Sequence, residues 1–178
     1  HLQGLLKFEM KQLIYVMDPS EKSLDIAKER AREVKNNHNL IYLNDWAQLP
    51  NDFDLVIVAT GAKVRSSVVI KLLMDFKVKN LVLEKILFQD VNSYEEISEL
   101  IRRTKTSTWV NHPRRMFKHY QEIKRVISLS EENVCFQVYG GNWGLACNSL
   151  HFIDLSNLSN KLILLKTGTQ IDRIFFLF

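Results

Sequence analysis

Short apolar runs alternate with amphipathic stretches of helical length, and this order leaves few folds open to the chain. "LIYVMD" (13–18) is an apolar run closing on an acid. The next stretch, 19–36, places Leu24, Ala27, Ala31 and Val34 at helical spacing in a polar background. Asp18, Pro19 and Glu21 predict its start, with Asp18 as the cap residue. "LIYL" (40–43) and the apolar "DLVIVAT" (54–60) read as strands, the second of the kind buried inside a parallel sheet. A helix is predicted over 64–76 with Val64, Val68, Leu72 and Phe76 on its inner side. "NLVLEK" (80–85) reads as a strand, 93–104 as a helix opened by a Ser93–Glu96 capping box, "STWVN" (107–111) as a strand, and 114–129 as a helix.

Strands alternating with helices of this length predict an α/β fold, a doubly wound parallel sheet covered on both faces. Ligands of such sheets bind beyond the carboxyl ends of the strands. Asp18, Thr60, Gly61, Glu84, Lys85 and Asn111 all fall at those ends. After about residue 130 the pattern changes. "NVCFQVYGG" (133–141), "KLILLK" and "RIFFLF" read as strands and 145–158 as a helix. The expected organisation is a nucleotide-binding domain over 1–112, with 113–178 beginning an incomplete α+β domain for substrate binding and oligomerisation.

A doubly wound nucleotide-binding domain opens with a strand and a glycine-rich turn, and neither precedes "LIYVMD" here. The ribose-binding acid lies about 20 residues beyond that turn. Counting back from Asp18 puts the turn immediately before His1, so the expectation is a domain lacking its first strand.

Composition narrows the function classes. Hydrophobic residues make up 46% and charged residues 25%, the balance of an ordinary globular chain. No apolar run has the roughly 20 residues of a membrane span, and the start does not read as a signal peptide. Two cysteines, Cys135 and Cys147, make no disulfide framework, which points to a reducing cytoplasm. The net charge is +4, but the basic clusters at 101–105 and 113–118 lack a nucleic-acid motif. No set of His, Cys and Asp has the spacing of a metal site. The reading is therefore of a protein without nucleic-acid, membrane or metal partners.

Candidate residues each carry two local readings. Asp18 can accept hydrogen bonds from both hydroxyls of an adenosine ribose, which favours NAD and leaves NADP open, or it can be only a helix cap. Ala59, Thr60 and Gly61 can let the backbone approach a dinucleotide, or form an ordinary strand–helix turn. Glu84 and Lys85, as neighbours in a strand, point to opposite faces. One can reach a cleft while the other braces the backbone, or both can simply meet water. On a helix His151 shares a face with Cys147, Asn148 and Asp154. A carboxylate there raises an imidazole pKa and orients the ring for general-base work; the plainer reading is a structural histidine.

Together these residues resemble the Gfo/Idh/MocA family of NAD(P)-dependent oxidoreductases over roughly residues 1–155. "HLQGLL" is similar to the stretch just after the family's glycine-rich motif, and Asp18 matches the acid after the second strand. Ala59-Thr60-Gly61 resembles its "ATP" turn, Glu84-Lys85-Ile86 its Glu-Lys-Pro motif, Val110 to Arg115 its "VNxxRR", and His151 to Leu155 its "HxxDL". The resemblance implies a dehydrogenase that moves hydride between a nicotinamide and a sugar, cyclitol or related polyol. Lys85 and His151 would handle the proton, while Asp18, Ala59, Thr60, Gly61, Glu84 and Asn111 would line the cofactor. It also allows a homo-oligomer.

Two departures bear on the chemistry. Ile86 stands where the motif has proline, so the expectation is that the cis peptide bond is lost. Cys147 replaces an aspartate, leaving Asn148 as a neutral orienting group. With the phosphate cradle and half the pocket missing, the 178 residues alone are not expected to be a competent dehydrogenase. A reading from another class is a non-catalytic dinucleotide-binding relative; a methyltransferase would leave Lys85 and His151 unexplained.

Overall fold

A computed structural model describes residues 1–130, 138, 141 and 144–157. The chain runs through a short helix α1 (Leu2–Leu5), strand β1 (Leu13–Met17), helix α2 (Glu21–Arg32), β2 (Asn39–Leu43), β3 (Asp52–Val58), α3 (Ala62–Asp75), β4 (Lys77–Glu84), α4 (Val91–Thr104), β5 (Ser107–Asn111), α5 (Lys118–Leu129) and α6 (Leu145–Ser156). All strand pairs are parallel. The predicted α/β architecture is present, with strand ends displaced by a few residues from their sequence limits.

The sheet is divided. β1 pairs with β2, and β3, β4 and β5 form a separate sheet in that order. In the doubly wound order the position between β1 and β3 belongs to a first strand, and among the described residues no strand lies there. This corrects one expectation for β3. Its apolar run predicts a wholly buried strand, but it pairs on one side only and Leu55 is 47% exposed. A chain of aromatic rings partly closes the division: Tyr15 of β1 meets Phe53 of β3 edge-on at 6.2 Å, Phe53 meets Phe76 at 6.0 Å, and Phe76 meets Trp46 at 5.8 Å.

The core lies under the three-stranded sheet. Val58, Val69, Leu72, Leu73, Val78, Leu81, Leu83, Phe88 and Ile97 form one buried cluster. α3 presents most of the predicted face: Leu72 is buried and Val68 and Phe76 pack against the cluster, but Val64 is exposed, and Arg65, Val69 and Leu73 are buried as well. Apolar residues at 64, 68–70 and 72–74 span a wide arc of this helix, so spacing alone leaves its rotation open by a residue.

Helix ends also differ from expectation. α2 is capped by Ser20, whose hydroxyl accepts from Ser23 N–H, while Asp18 Oδ1 accepts from Ser20 N–H at 2.8 Å. α4 is capped by Asp90, which accepts from Ser93 N–H at 2.8 Å and from the Ser93 hydroxyl at 2.6 Å, so Ser93 serves the cap from inside the helix. The helix predicted over 114–129 is two pieces. A 3-10 turn at Pro113–Met116 ends at Phe117, whose extended backbone precedes α5. α6 occupies the predicted 145–158 stretch; most of 133–141, and all of "KLILLK" and "RIFFLF", lie outside the described residues.

Candidate functional site

Parallel pairing sends the ends of β3, β4 and β5 to one edge, and those of β1 and β2 to one edge of their own sheet. Asp18 follows β1, the Ala59-Thr60-Gly61 turn follows β3, and Glu84 and Asn111 end β4 and β5. Glu84 and Asn111 stand opposite each other in the strand register. There Asn111 Nδ2 donates to Glu84 Oε1 at 2.6 Å, and His1 Nε2 meets the same oxygen at 2.6 Å. Glu84 is thus the brace of the pair, and its neighbour Lys85 is half-buried. The peptide bond between Lys85 and Ile86 is cis, contrary to the loss expected without proline.

The turn after β3 is open on its outer side. A methyl group built on Gly61 would meet nothing within 4 Å. The Thr60 hydroxyl oxygen is buried with no partner. A buried hydroxyl left without a hydrogen bond is costly unless something else satisfies it, which suits a turn that receives a ligand. One carboxylate oxygen of Asp18 is held by Ser20 N–H. Its role as helix cap passes to Ser20.

α6 approaches this edge through the 3-10 turn after β5. Arg114 donates to Asn148 Oδ1 at 2.9 Å, and its guanidinium lies 4.7 Å over the Phe152 ring. Arg115 clasps the buried Asp154 carboxylate with Nε at 2.9 Å and a second bond from Nη2. The His112 and His151 rings meet edge-on at 5.7 Å, and Nδ1 of each is buried without a partner. Asn148 accordingly holds Arg114.

The electrostatics of His151 run opposite to the sequence expectation. Its pKa is lowered, chiefly by burial and then by the nearby positive charges of Lys85 and Arg114 and by His112. Asp154 pulls the other way but weakly. Helical spacing does put Asp154 near His151, but Arg115, 39 residues earlier, has already engaged its charge. Burial and the neighbouring cations therefore favour the neutral imidazole, where pairing with a carboxylate would favour the charged one.

Two contributors were not singled out from sequence. Arg65 sits in α3 and is buried, and the sequence signal was its place away from the polar stripe of Lys63, Ser67, Lys71 and Asp75 on the same helix. His112 lies inside the quoted "VNxxRR" stretch, yet nothing local marked its ring as facing His151. Among the described residues no group of three or more His, Cys, Asp or Glu is placed to hold a metal ion. No described helix is long and apolar enough to cross a membrane.

Parallel strands ending in a shared polar edge, with an acid after β1 and an open turn after β3, define an α/β domain of the dinucleotide-binding class. The model of the oxidoreductase family with an NAD-binding Rossmann fold, Gfo/Idh/MocA, matches residues 8–112, and the chain belongs to that family. Scyllo-inositol dehydrogenase from Lactobacillus casei, solved with NAD(H) and scyllo-inositol bound, shares the fold at TM-score 0.67 and 15% identity, over 89% of this chain and 52% of that one. Myo-inositol 2-dehydrogenase from Lactobacillus plantarum does so at TM-score 0.67 and 14% identity, over 89% and 52%. The super-repressor mutant of Gal80p from Saccharomyces cerevisiae does so at TM-score 0.69 and 16% identity, over 88% and 47%. This chain spans about half the length of these proteins. A comparison with curated proteins finds no match.

Proposed function

We propose that the chain is the cofactor-binding part of an NAD(P)-dependent oxidoreductase acting on a sugar, cyclitol or related polyol. The observation that carries the reading is the half-buried His151 ring, edge-on to His112 just beyond β5 at 5.7 Å and near enough to Lys85 for that charge to help lower its pKa, after burial. Asp18 and the 59–61 turn fit an adenosine ribose and a dinucleotide backbone, with NAD favoured by the carboxylate and NADP remaining open. Residues 1–112 would form this domain, and 113–178 would begin the substrate-binding one.

A bound nicotinamide would supply the hydride acceptor. The substrate hydroxyl would lie between Lys85 and His151. Its carbon gives up a hydride and its oxygen gives up a proton, which the neutral imidazole accepts. Lys85 donates a hydrogen bond to the same oxygen and steadies the charge that develops there. Glu84 and Asn111 brace each other and keep the strand end in place. Asn148 acts one step back, by orienting Arg114.

The test is NADH formation by the chain, and by any longer form of it, with scyllo-inositol, myo-inositol and a panel of free sugars. Replacing either Lys85 or His151 by Ala should lower kcat by about 10²- to 10⁴-fold. Unchanged turnover in both variants would overturn the assignment. The match to a repressor, as good as the matches to dehydrogenases, favours one second reading, a dinucleotide-binding protein without turnover. NADH binding with no turnover on any substrate would select it.

A further inference from the structure

Arg65 is 3% exposed, the least exposed charged side chain among the described residues, and it reaches two separate turns. Its Nη1 donates to the carbonyl oxygens of Glu84 at 2.7 Å and Leu87 at 3.1 Å, and also to that of Ile86. Its Nη2 donates to the carbonyl of Thr60. The ladder between β3 and β4 ends at the pair Val58 and Leu83. All four carbonyls lie beyond the end of that ladder, although Glu84 still faces Asn111 across the β4–β5 pairing on its other side. One guanidinium therefore takes over the work of the ladder at the place where both chains leave the sheet.

Burying a cation is unfavourable unless many hydrogen bonds compensate it. A position on α3 that served packing alone would be filled by an apolar side chain like Val69 or Leu72. The planar fork of arginine can hold several acceptors in fixed directions, whereas a lysine presents a single point charge. Desolvation lowers the Arg65 pKa, and the Glu84 carboxylate works against that.

We propose that Arg65 is a positioning residue that locks the Thr60 turn and the Lys85 turn into one unit, so that Lys85 is placed relative to a bound dinucleotide by a single buried side chain. The inference rests on the dinucleotide reading of the edge given above. It assigns Arg65 no contact with substrate or cofactor.

Amide hydrogen exchange and NADH binding test it together. In Arg65→Met the amides of residues 59–62 and 84–88 should lose protection jointly, by about tenfold or more, since each lost bond has a charged donor. Val69→Ala, which loosens the same helix in its core, should spare those amides relative to the rest of the molecule. NADH affinity should fall by about tenfold in Arg65→Met, hold in Val69→Ala, and recover in part in Arg65→Lys. If Arg65→Met does not fold, Arg65→Lys carries the exchange measurement. Wild-type protection at both turns, release of one turn alone, or equal release by Val69→Ala would overturn the inference. A wild-type chain that fails to bind NADH would instead sink the dinucleotide reading, and the exchange data would still decide whether Arg65 couples the turns.

Discussion

His151 shows how one side chain is set by groups distant in sequence. Burial and the charges of Lys85 and Arg114 hold its pKa below the ordinary value of 6.5, and Asp154 opposes them weakly. Because the folded value is the lower one, the unfolded chain binds the proton first as pH falls. The stability contribution is therefore complete above the unfolded value and is lost as pH drops through the window down to the folded value. The resistance of wild type to urea should begin to fall as the pH drops through about 6.5, and His151→Gln should flatten that part of the profile; an identical slope in the variant would count against the assignment. At this scale the sequence was partly readable. Glu84, Lys85 and Asn111 could be placed because strand periodicity puts them at strand ends. The Arg115–Asp154 pair could not, since 39 residues separate the partners. Arg65 was missed because α3 carries several charges and a lone arginine reads by default as solvated, although it falls away from the stripe of Lys63, Ser67, Lys71 and Asp75.

Elements were legible where one period dominates and less so at their ends. The five strands expected before residue 112 followed from apolar runs and all are present, while the three expected after residue 130 lie almost wholly outside the described residues. The break at Phe117 did not follow, because the residues on either side of it share one helical pattern. Two element ends carry measurable consequences. α4 ends on Lys105, whose φ of 56° lies in the left-handed region. Lys105→Gly should raise stability by roughly 1 kcal/mol, because glycine enters that region without the steric cost of a Cβ. Next to it, Thr106 is 4% exposed and its hydroxyl donates to the Val78 carbonyl at 2.9 Å, tying the start of β5 to that of β4. Thr106→Val keeps the shape and orphans the carbonyl, so denaturant unfolding should show a loss of about 1–2 kcal/mol. An unchanged midpoint would mean that the carbonyl finds another donor.

For the whole molecule the governing feature is the divided sheet. The buried cluster lies entirely between β3 and α4, whereas β1 and β2 contribute no buried residue. The β1–α2–β2 unit is joined to the rest by side chains rather than by a strand ladder: Tyr15 meets Phe53, and in the first residues of the chain Gln3 donates to the Arg30 carbonyl and Glu33 while His1 meets Glu84. Elements tied by few buried contacts open more readily than the core. Amides of β1 and β2 should therefore exchange through a local opening that leaves β4 folded. Leu81 is fully buried, and Leu81→Ala should cost the β4 amides about 2–5 kcal/mol of protection while leaving β1 and β2 close to wild type. Tyr15→Ala should do the converse, speeding β1 and β2 by up to about tenfold and sparing β4. Equal losses in both regions from either variant would show one cooperative unit. The division also bears on the proposed chemistry. Asp18 belongs to the first unit, and Thr60, Glu84 and Lys85 to the second. A dinucleotide held by both would bridge them, so saturating NADH should slow exchange in β1 and β2 more than in β4. This ligand effect should be lost in Asp18→Ala, whose strand pairing is otherwise intact.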